Sequence, residues 1–352
     1  MPQHHRPWAN ILLWGAMFFA LALAFALELS LGSVLIPLKT VISILLGRVD
    51  AAEDWRQIVL LFRLPRALTA MLAGAALGMA GLKMQTLFRN PLADPFVLGI
   101  SSGAGLGVAL VIMAVGGLRW SLLMERAGLA GNISLVLSAI LGATAVLGIV
   151  LGVARRVESN VTLLIVGLMF GYITGAAVQV LMQFALEHQM QSYITWTFGS
   201  FGSVTWKQMG VFAPAVICGL AVAWVLVKPL NALLLGDGYA RSMGVNVRVV
   251  RSWIIAGASV LAGAVTAYCG PIGFLGIAVP HLGRILFKTS DHRQLVPAVM
   301  VLGATLALLA DLISQAPGTQ MALPLNAVTA LIGAPVVVGV ILRRRHLMEV
   351  DG

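Results

Sequence analysis

The sequence predicts an all-α, polytopic membrane protein with about ten transmembrane helices in a single domain, residues 1–352. Composition is the first reason: 59% of the 352 residues are hydrophobic and only 10% are charged, whereas soluble domains carry about 25% charged residues. The second reason is that the chain divides into apolar runs of the roughly 20 residues that a spanning helix needs. The net charge of +10 comes from cations clustered between these runs, which is typical of a polytopic membrane protein.

Nine apolar runs have roughly spanning length. In chain order they are Ile11–Leu29, Leu64–Leu87, Phe96–Val115, Ile133–Val153, Val161–Phe184, Met209–Val227, Val249–Tyr268, Leu295–Ile313 and Leu323–Leu342. The first run is longer than the ~7–15 residues of a signal-peptide core, so it is interpreted as a retained helix. A tenth run, Gly273–Phe287, is shorter and rich in glycine and proline. It is either a short spanning helix or a re-entrant segment.

Two connections between the runs have structure of their own. The outer segment Ser30–Phe62 contains VLIPLKTVISILLG, which is apolar on more than one face and has a proline near its start. This pattern predicts an interfacial helix that lies on the membrane. The connection FRNPLADPFVLG is a compact inner turn, in which Asp94 suits the N-cap and Pro95 the first position of the next helix.

The distribution of cations predicts the orientation. Ten spans place both termini on one side of the membrane, and fifteen of the 23 Lys and Arg residues fall on that side. Arg6 belongs to this set, and Arg119 and Arg126 belong to the smaller set opposite. The bias predicts that both termini are cytoplasmic. A re-entrant tenth run would reverse the position of the C-terminus.

The longest inner connection, LNALLLGDGYARSMGVNVRVVR, differs from a simple loop. It carries Leu, Met and Tyr among Asp237, Arg241 and Arg248, and Gly236, Gly238 and Gly244 are expected to interrupt helical structure. The segment is either an interfacial anchor or a short amphipathic helix that docks another protein.

Three glycines in the fifth run share one helical face, because Gly167, Gly171 and Gly175 are four residues apart. Small residues at this spacing allow two helices to pack closely in lipid. The same face could instead line a pathway, where small side chains leave room for a bulky solute. Both interpretations remain open at this point.

The sequence lacks several catalytic motifs. It contains no GxxxxGK[ST] or HExxH pattern, and Glu28 and Asp311 lie toward helix ends rather than near the midplane. An intramembrane enzyme and an ion-coupled secondary transporter, which usually places an ionisable group near the midplane, are both disfavoured. His281 stands without a Cys or acidic residue at ligand spacing, so no metal site is predicted.

Four stretches carry a resemblance to a known family: RLPRALTAMLAGAALGMAGLKMQTLFRNPLADPFVLGISSGAGLG, LNALLLGDGYARSMGV, GPIGFLGIAVPHLGR and LPLNAVTALIGAP. In this order they resemble the FecCD-type permeases, the membrane subunits of ABC importers for iron–siderophore complexes, haem and cobalamin. The resemblance implies a bacterial inner-membrane homodimer with the pathway between its subunits. It also implies two ATP-binding subunits, which hold ATP and Mg, and a periplasmic substrate-binding protein.

The resemblance also implies roles for particular residues. The segment 230–246 corresponds to the coupling helices that contact the ATPase, with Leu235, Gly236, Asp237, Ala240, Arg241 and Gly244 as the matching residues. Arg63 and Arg66 match outer arginines that dock the binding protein, although both could instead extend to lipid phosphates at the head of the second helix. In the family the fifth helix lines the pathway.

The last outer loop departs from the family pattern at Gln315, Ala322 and Asn326. Relatives often carry an arginine at the first of these positions, so this chain would dock its partner with one cation fewer.

The sequence is therefore interpreted as a transport subunit with no enzymatic activity, no cofactor and no nucleic-acid partner of its own. Its expected cargo is a ferric siderophore or haem. Cobalamin is the alternative cargo, and an ion-coupled secondary transporter is the rival class.

Overall fold

The computed structural model describes residues 7–48, 52–115, 132–157, 159–315 and 322–350. Every regular element in these ranges is helical, which confirms the predicted all-α class. Arg6, Arg119 and Arg126, which contribute to the charge bias, lie outside the described residues. The cytoplasmic position of the termini and the count of ten spans stay predictions.

The α-helices follow the predicted apolar runs, with short additional helices in the connections. In chain order they are α1 (Pro7–Ser30), α2 (Leu38–Leu45), α3 (Glu53–Gln57), α4 (Leu64–Phe88), α5 (Ile100–Val115), α6 (Asn132–Arg156), α7 (Asn160–Gln183), α8 (Glu187–Thr197), α9 (Trp206–Val225), α10 (Val227–Leu234), α11 (Asp237–Ser242), α12 (Val247–Cys269), α13 (Leu275–Phe287), α14 (His292–Ser314) and α15 (Leu325–Val350). Within the described ranges, seven helices are long and apolar enough to cross a membrane.

The second spanning helix is preceded by further helical residues. The α-helix α4 begins at the predicted Leu64, and α3 and the turn before α4 extend the continuous helical stretch to the 36 residues Glu53–Phe88. The turn Ile58–Arg63 is π-helical. Pro65 would normally disrupt the preceding α-helical turn because its ring meets the carbonyl four residues back, and a widened π turn relieves that conflict. The predicted helix in the outer connection is present as α2, which buries Val41 and Ile44.

Helix α4 lies at the centre of the bundle, where it packs against α12, α13 and α14. Glycines permit this packing. A Cβ atom at Gly74 would overlap the carbonyl of Gly303, and a Cβ at Gly81 would overlap the carbonyl of Gly276. The absence of side chains at these crossings brings the backbones into direct contact, as is common between helices in lipid.

The tenth apolar run crosses the bundle. Helix α12 ends at Cys269, whose carbonyl accepts a hydrogen bond from the Ser200 amide at 2.8 Å. Helix α14 begins at the opposite end of the bundle, where His292 Nε2 lies 2.8 Å from Thr86 Oγ1 near the end of α4. The extended residues after α12 and the 13-residue helix α13 connect these two ends. This geometry supports the spanning alternative over the re-entrant one. The end that contains the C-terminus of α4 is called the inner end below, following the predicted topology.

Candidate coupling and docking sites

The inner connection folds as two short helices separated by a glycine. Helix α10 is followed by Gly236 with φ of 116°, and α11 is followed by Gly244 with φ of 81°. Residues with a side chain avoid these backbone angles, so both positions require glycine. Gly238 lies inside α11 and lacks a positive φ, so the expectation that it interrupts the helix is wrong.

Asp237 attaches this connection to the rest of the bundle. Its Oδ1 accepts a hydrogen bond from Arg89 Nη2 at 2.7 Å, and its Oδ2 lies 3.4 Å from Arg251 Nη2. Arg251 is buried and also donates to the Val157 carbonyl at 3.2 Å. Because Arg89 follows the last residue of α4 and Arg251 lies in the first turns of α12, one carboxylate joins α11 to two spanning helices. Sequence analysis missed both arginines, since Arg89 is 148 residues from Asp237 and the local sequence does not show that the start of α12 folds back beside α11.

The remaining side chains of this segment divide between a buried anchor and an exposed surface. Ala240 is fully buried, whereas Leu235, Tyr239 and Met243 are 66%, 51% and 60% exposed. Arg241 is also exposed. An apolar surface with a cation, held in a fixed orientation at the inner end, is suited to contact another protein.

The inner turn after α4 is built as predicted, with one difference. Asp94 Oδ1 accepts a hydrogen bond from the Phe96 amide at 2.8 Å, and Pro95 is the first residue of the helix that follows. That helix is a four-residue 3-10 turn, and α5 begins only after Gly99. Burial raises the pKa of Asp94 to about 6, which the bond from Phe96 partly opposes.

At the opposite end of the bundle, Arg63 folds back onto the chain. Its Nη1 donates to the Leu29 carbonyl at 2.8 Å, and its Nη2 donates to the Val34 carbonyl. The side chain is buried and closes the turn after α1, where a Cβ at Gly32 would lie 2.9 Å from Nη2. Arg63 therefore uses its guanidinium to satisfy backbone carbonyls.

Arg66 instead faces two carboxylates. Its Nε and Nη2 bond Asp311 Oδ2 and Oδ1 at 2.7 and 2.9 Å, a bidentate pair, and Glu28 Oε1 lies 4.0 Å from Nε. Gln315 donates from its amide to the same Glu28 oxygen. The cluster of Glu28, Arg66, Asp311 and Gln315 joins α1, α4 and α14, and is called the outer cluster below.

These contacts bear on the expected docking role. Arg63 is buried and bonded to backbone carbonyls, so it does not extend to lipid phosphates, whereas for Arg66 the lipid-phosphate alternative stays a prediction. Binding-protein docking by Arg63 and Arg66 stays a prediction, and it would have to coexist with these internal bonds. Two of the departing residues also have internal partners: Gln315 bonds Glu28, and Asn326 Oδ1 accepts from the Gly273 amide at 3.0 Å.

Comparison with known proteins settles the family. The FecCD transport family matches this chain over residues 20–344. The chain belongs to the FecCD transport family. It is 38% identical over 289 residues to the vitamin B12 import system permease protein BtuC of Klebsiella pneumoniae, covering 80% of this chain and 82% of that protein. It is 36% identical over 285 residues to the hemin transport system permease protein HmuU of Yersinia pestis, covering 81% and 83%.

A solved structure agrees with this membership. A metal-chelate type ABC transporter in an inward-facing conformation superimposes with a TM-score of 0.80 and 28% identity, covering 95% of this chain and 99% of that one. This FecCD protein is therefore a multi-pass inner-membrane permease of an ABC importer, which confirms the family and the transport class predicted from the sequence.

The three glycines of α7 have different surroundings in this FecCD permease. A Cβ at Gly167 would lie 2.8 Å from the Val97 carbonyl oxygen, whereas a Cβ at Gly171 would make an ordinary contact of 3.7 Å with Ser102 Oγ. A Cβ at Gly175 would meet nothing within 4 Å. Gly167 is thus closely packed against a neighbouring backbone, whereas Gly175 borders open space. A pathway role for this face stays a prediction.

Lys83 of α4 is a buried cation to which sequence analysis assigned no role. The side chain is fully buried, and its Nζ has no hydrogen-bond partner among the described residues. It occupies the space beside Gly257, where a Cβ would lie 2.8 Å from Nζ. The described residues contain no group of three or more His, Cys, Asp or Glu side chains that could hold a metal ion.

Proposed function

We propose that this permease passes a metal chelate, a ferric siderophore or haem, from a periplasmic binding protein across the inner membrane. ATP hydrolysis on two separate subunits drives the transfer, and this chain carries no catalytic group. The hemin transport relative supports an iron chelate as cargo, and the metal-chelate type ABC transporter supports a metal chelate in general. Cobalamin is the second candidate, because the vitamin B12 permease relative is similar at 38% identity.

The observation that carries the coupling role is the link from Asp237 to Arg89 and Arg251. The exposed surface of Leu235, Tyr239 and Met243 is proposed to contact the ATP-binding subunit. A displacement of α11 would then act through one carboxylate on the ends of α4 and α12. Since α4 is the central helix, a movement at its inner end reaches the helices that surround it.

A second copy of this chain is the proposed partner within the membrane. Helix α7 exposes Tyr172 and Ile173, and α15 exposes Leu331. Both helices therefore leave apolar surface uncovered in one subunit. In a homodimer these helices would face the partner or line the pathway between the subunits.

Reconstitution tests the function directly. The permease is combined in proteoliposomes with the ATP-binding subunits and a binding protein, and uptake of haem, a ferric siderophore and cobalamin is measured separately. ATP-dependent, vanadate-sensitive uptake of an iron chelate is the expected result. Selective uptake of cobalamin would show that cobalamin, and not an iron chelate, is the cargo. Uptake that follows an ion gradient while vanadate blocks the ATPase would overturn the assignment to the ABC importers.

The coupling link has its own test in the same vesicles. Asp237→Asn removes the charge that holds Arg89 and Arg251, so we expect uptake to fall while ATP hydrolysis continues. Asp54→Asn, at an exposed position in α3, is the matched control. Uptake by Asp237→Asn equal to that of the control would contradict the proposed coupling path.

Docking by the outer arginines is tested by affinity. Arg66→Gln is expected to weaken capture of the loaded binding protein and to reduce the salt dependence of that capture, because charges at an interface rim govern association. Lys207→Gln is the control, since Lys207 is exposed at the start of α9, where the neighbouring Trp206 donates to the Leu60 carbonyl at the same end of the bundle as Arg66. An affinity that does not change across a salt series would leave Arg66 with its internal role alone.

A further inference from the structure

A groove between α6 and α12 opens to the side of the bundle near its inner end. It has a volume of about 560 Å³ and is lined by Leu151, Arg248, Val249, Ser252, Trp253 and Ala256. Among the described residues, the lining combines an apolar wall with a cation and contains no carboxylate. None of these residues belongs to the coupling link or to the outer cluster.

The depth of the groove follows from its place on α12. The helix has 23 residues, so it is about 35 Å long, close to the ~30 Å hydrocarbon thickness of a bilayer. Arg248 is its second residue and lies at the membrane surface. Ala256 is about 12 Å deeper. The groove therefore runs from the headgroup level into the hydrocarbon.

The upper part of the groove is positively charged. The Arg248 side chain is exposed at the first turn of α12, where the helix dipole adds a partial positive charge. Exposed Arg156 lies at the end of α6, the helix that forms the other wall. Ser252 adds a hydroxyl that donates to the Arg248 carbonyl at 3.1 Å and whose oxygen can still accept.

The lower part of the groove is apolar. Val249 and Trp253 are exposed on one face of α12, and Leu151 faces them from α6. An indole ring just below a cationic headgroup layer is typical of a membrane interface. Exposed apolar side chains at this depth contact acyl chains rather than water.

We propose that this groove holds one anionic phospholipid of the inner leaflet, with its phosphate at Arg248 and the start of α12 and one acyl chain along Val249, Trp253 and Ala256. A cation above an apolar channel between spanning helices matches the two parts of such a lipid. A cytoplasmic protein could reach Arg248 but not Ala256, because the wall descends into the hydrocarbon. The lipid therefore accounts for the whole groove.

The test measures which lipids the complete importer retains. The importer is reconstituted in nanodiscs that contain equal parts of phosphatidylglycerol and phosphatidylethanolamine, then released and analysed by native mass spectrometry. The wild type is expected to retain phosphatidylglycerol preferentially. Arg248→Gln should reduce that preference about fivefold, the effect of one cation near an anionic surface, and Arg248→Lys should preserve it.

Arg293→Gln is the matched control, since Arg293 is also exposed and is the second residue of a helix, α14, that begins at the inner end. It should leave the preference unchanged. Ala256→Trp fills the lower groove without a change of charge, and it should reduce retention of both lipids. The proposal is overturned if Arg248→Gln behaves like Arg293→Gln, or if Ala256→Trp retains lipid normally. Loss of the ATP-binding subunits from Arg248→Gln with unchanged lipid retention would identify a protein contact instead.

Discussion

Replacing Arg66 by methionine removes the cation that bonds Asp311 and lies beside Glu28. Both carboxylates are 1% exposed in their side chains, whereas that of Arg66 is 24% exposed. Methionine keeps the unbranched apolar stem of the side chain but carries no charge. The substitution therefore tests the charge of the outer cluster more than its packing.

The expected loss of stability is large because two buried carboxylates remain without their partner. Removal of one member of a buried ion pair typically costs about 3–5 kcal/mol. Asp311→Asn should cost less, about 1–3 kcal/mol, since the guanidinium keeps Glu28 at 4.0 Å and gains a neutral amide in place of the lost carboxylate. Arg66→Met should thus be less stable than Asp311→Asn.

The assay is unfolding of the purified permease in increasing sodium dodecyl sulfate, followed by circular dichroism in the absence of any binding protein. Arg56→Met provides the control, because Arg56 is 53% exposed and pairs with Glu53 only at 3.9 Å. An exposed pair of this kind contributes about 0–1 kcal/mol. Unfolding of Arg66→Met at the same detergent concentration as Arg56→Met would refute a structural role for the outer cluster.

Three further predictions concern the other sites. Gly244→Val should uncouple ATP hydrolysis from uptake while the dimer survives, because valine avoids the φ of 81° at this position. Gly238→Ala is the control, and normal uptake by Gly244→Val would contradict the coupling assignment. If α7 lines the pathway, Gly171→Leu should lower uptake with little loss of thermal stability. If the helix only packs there, the same change should lower thermal stability. Unchanged uptake and stability would exclude both interpretations of α7. Lys83→Met should raise the free energy of unfolding by about 1–3 kcal/mol, since it removes a buried amine that has no partner among the described residues. Lys228→Met, at an exposed position, is the control and should not. A lower stability of Lys83→Met would indicate a partner for the Lys83 amine.

The class of this protein follows from its amino-acid sequence alone. Composition and run length predict spanning helices because the hydrocarbon core demands about 20 apolar residues and an internally bonded backbone. The turn chemistry around Asp94 and the positive φ of Gly236 and Gly244 were also predictable, since both depend on neighbours in the chain. The family resemblance rests on stretches that can be compared position by position without a structure.

Which charged side chains meet depends on how the helices pack. Arg66 and Asp311 are 245 residues apart, and Arg89 and Asp237 are 148 apart, so no local spacing could join either pair. The helical residues from Glu53 onward were not predicted, because a proline normally interrupts the α-helical turn before it, and only the structure shows the π turn that continues the helix to Pro65. The residues of a segment and their near neighbours set its hydrophobicity and its turns. The partner of a buried charge depends instead on which helices cross beside it.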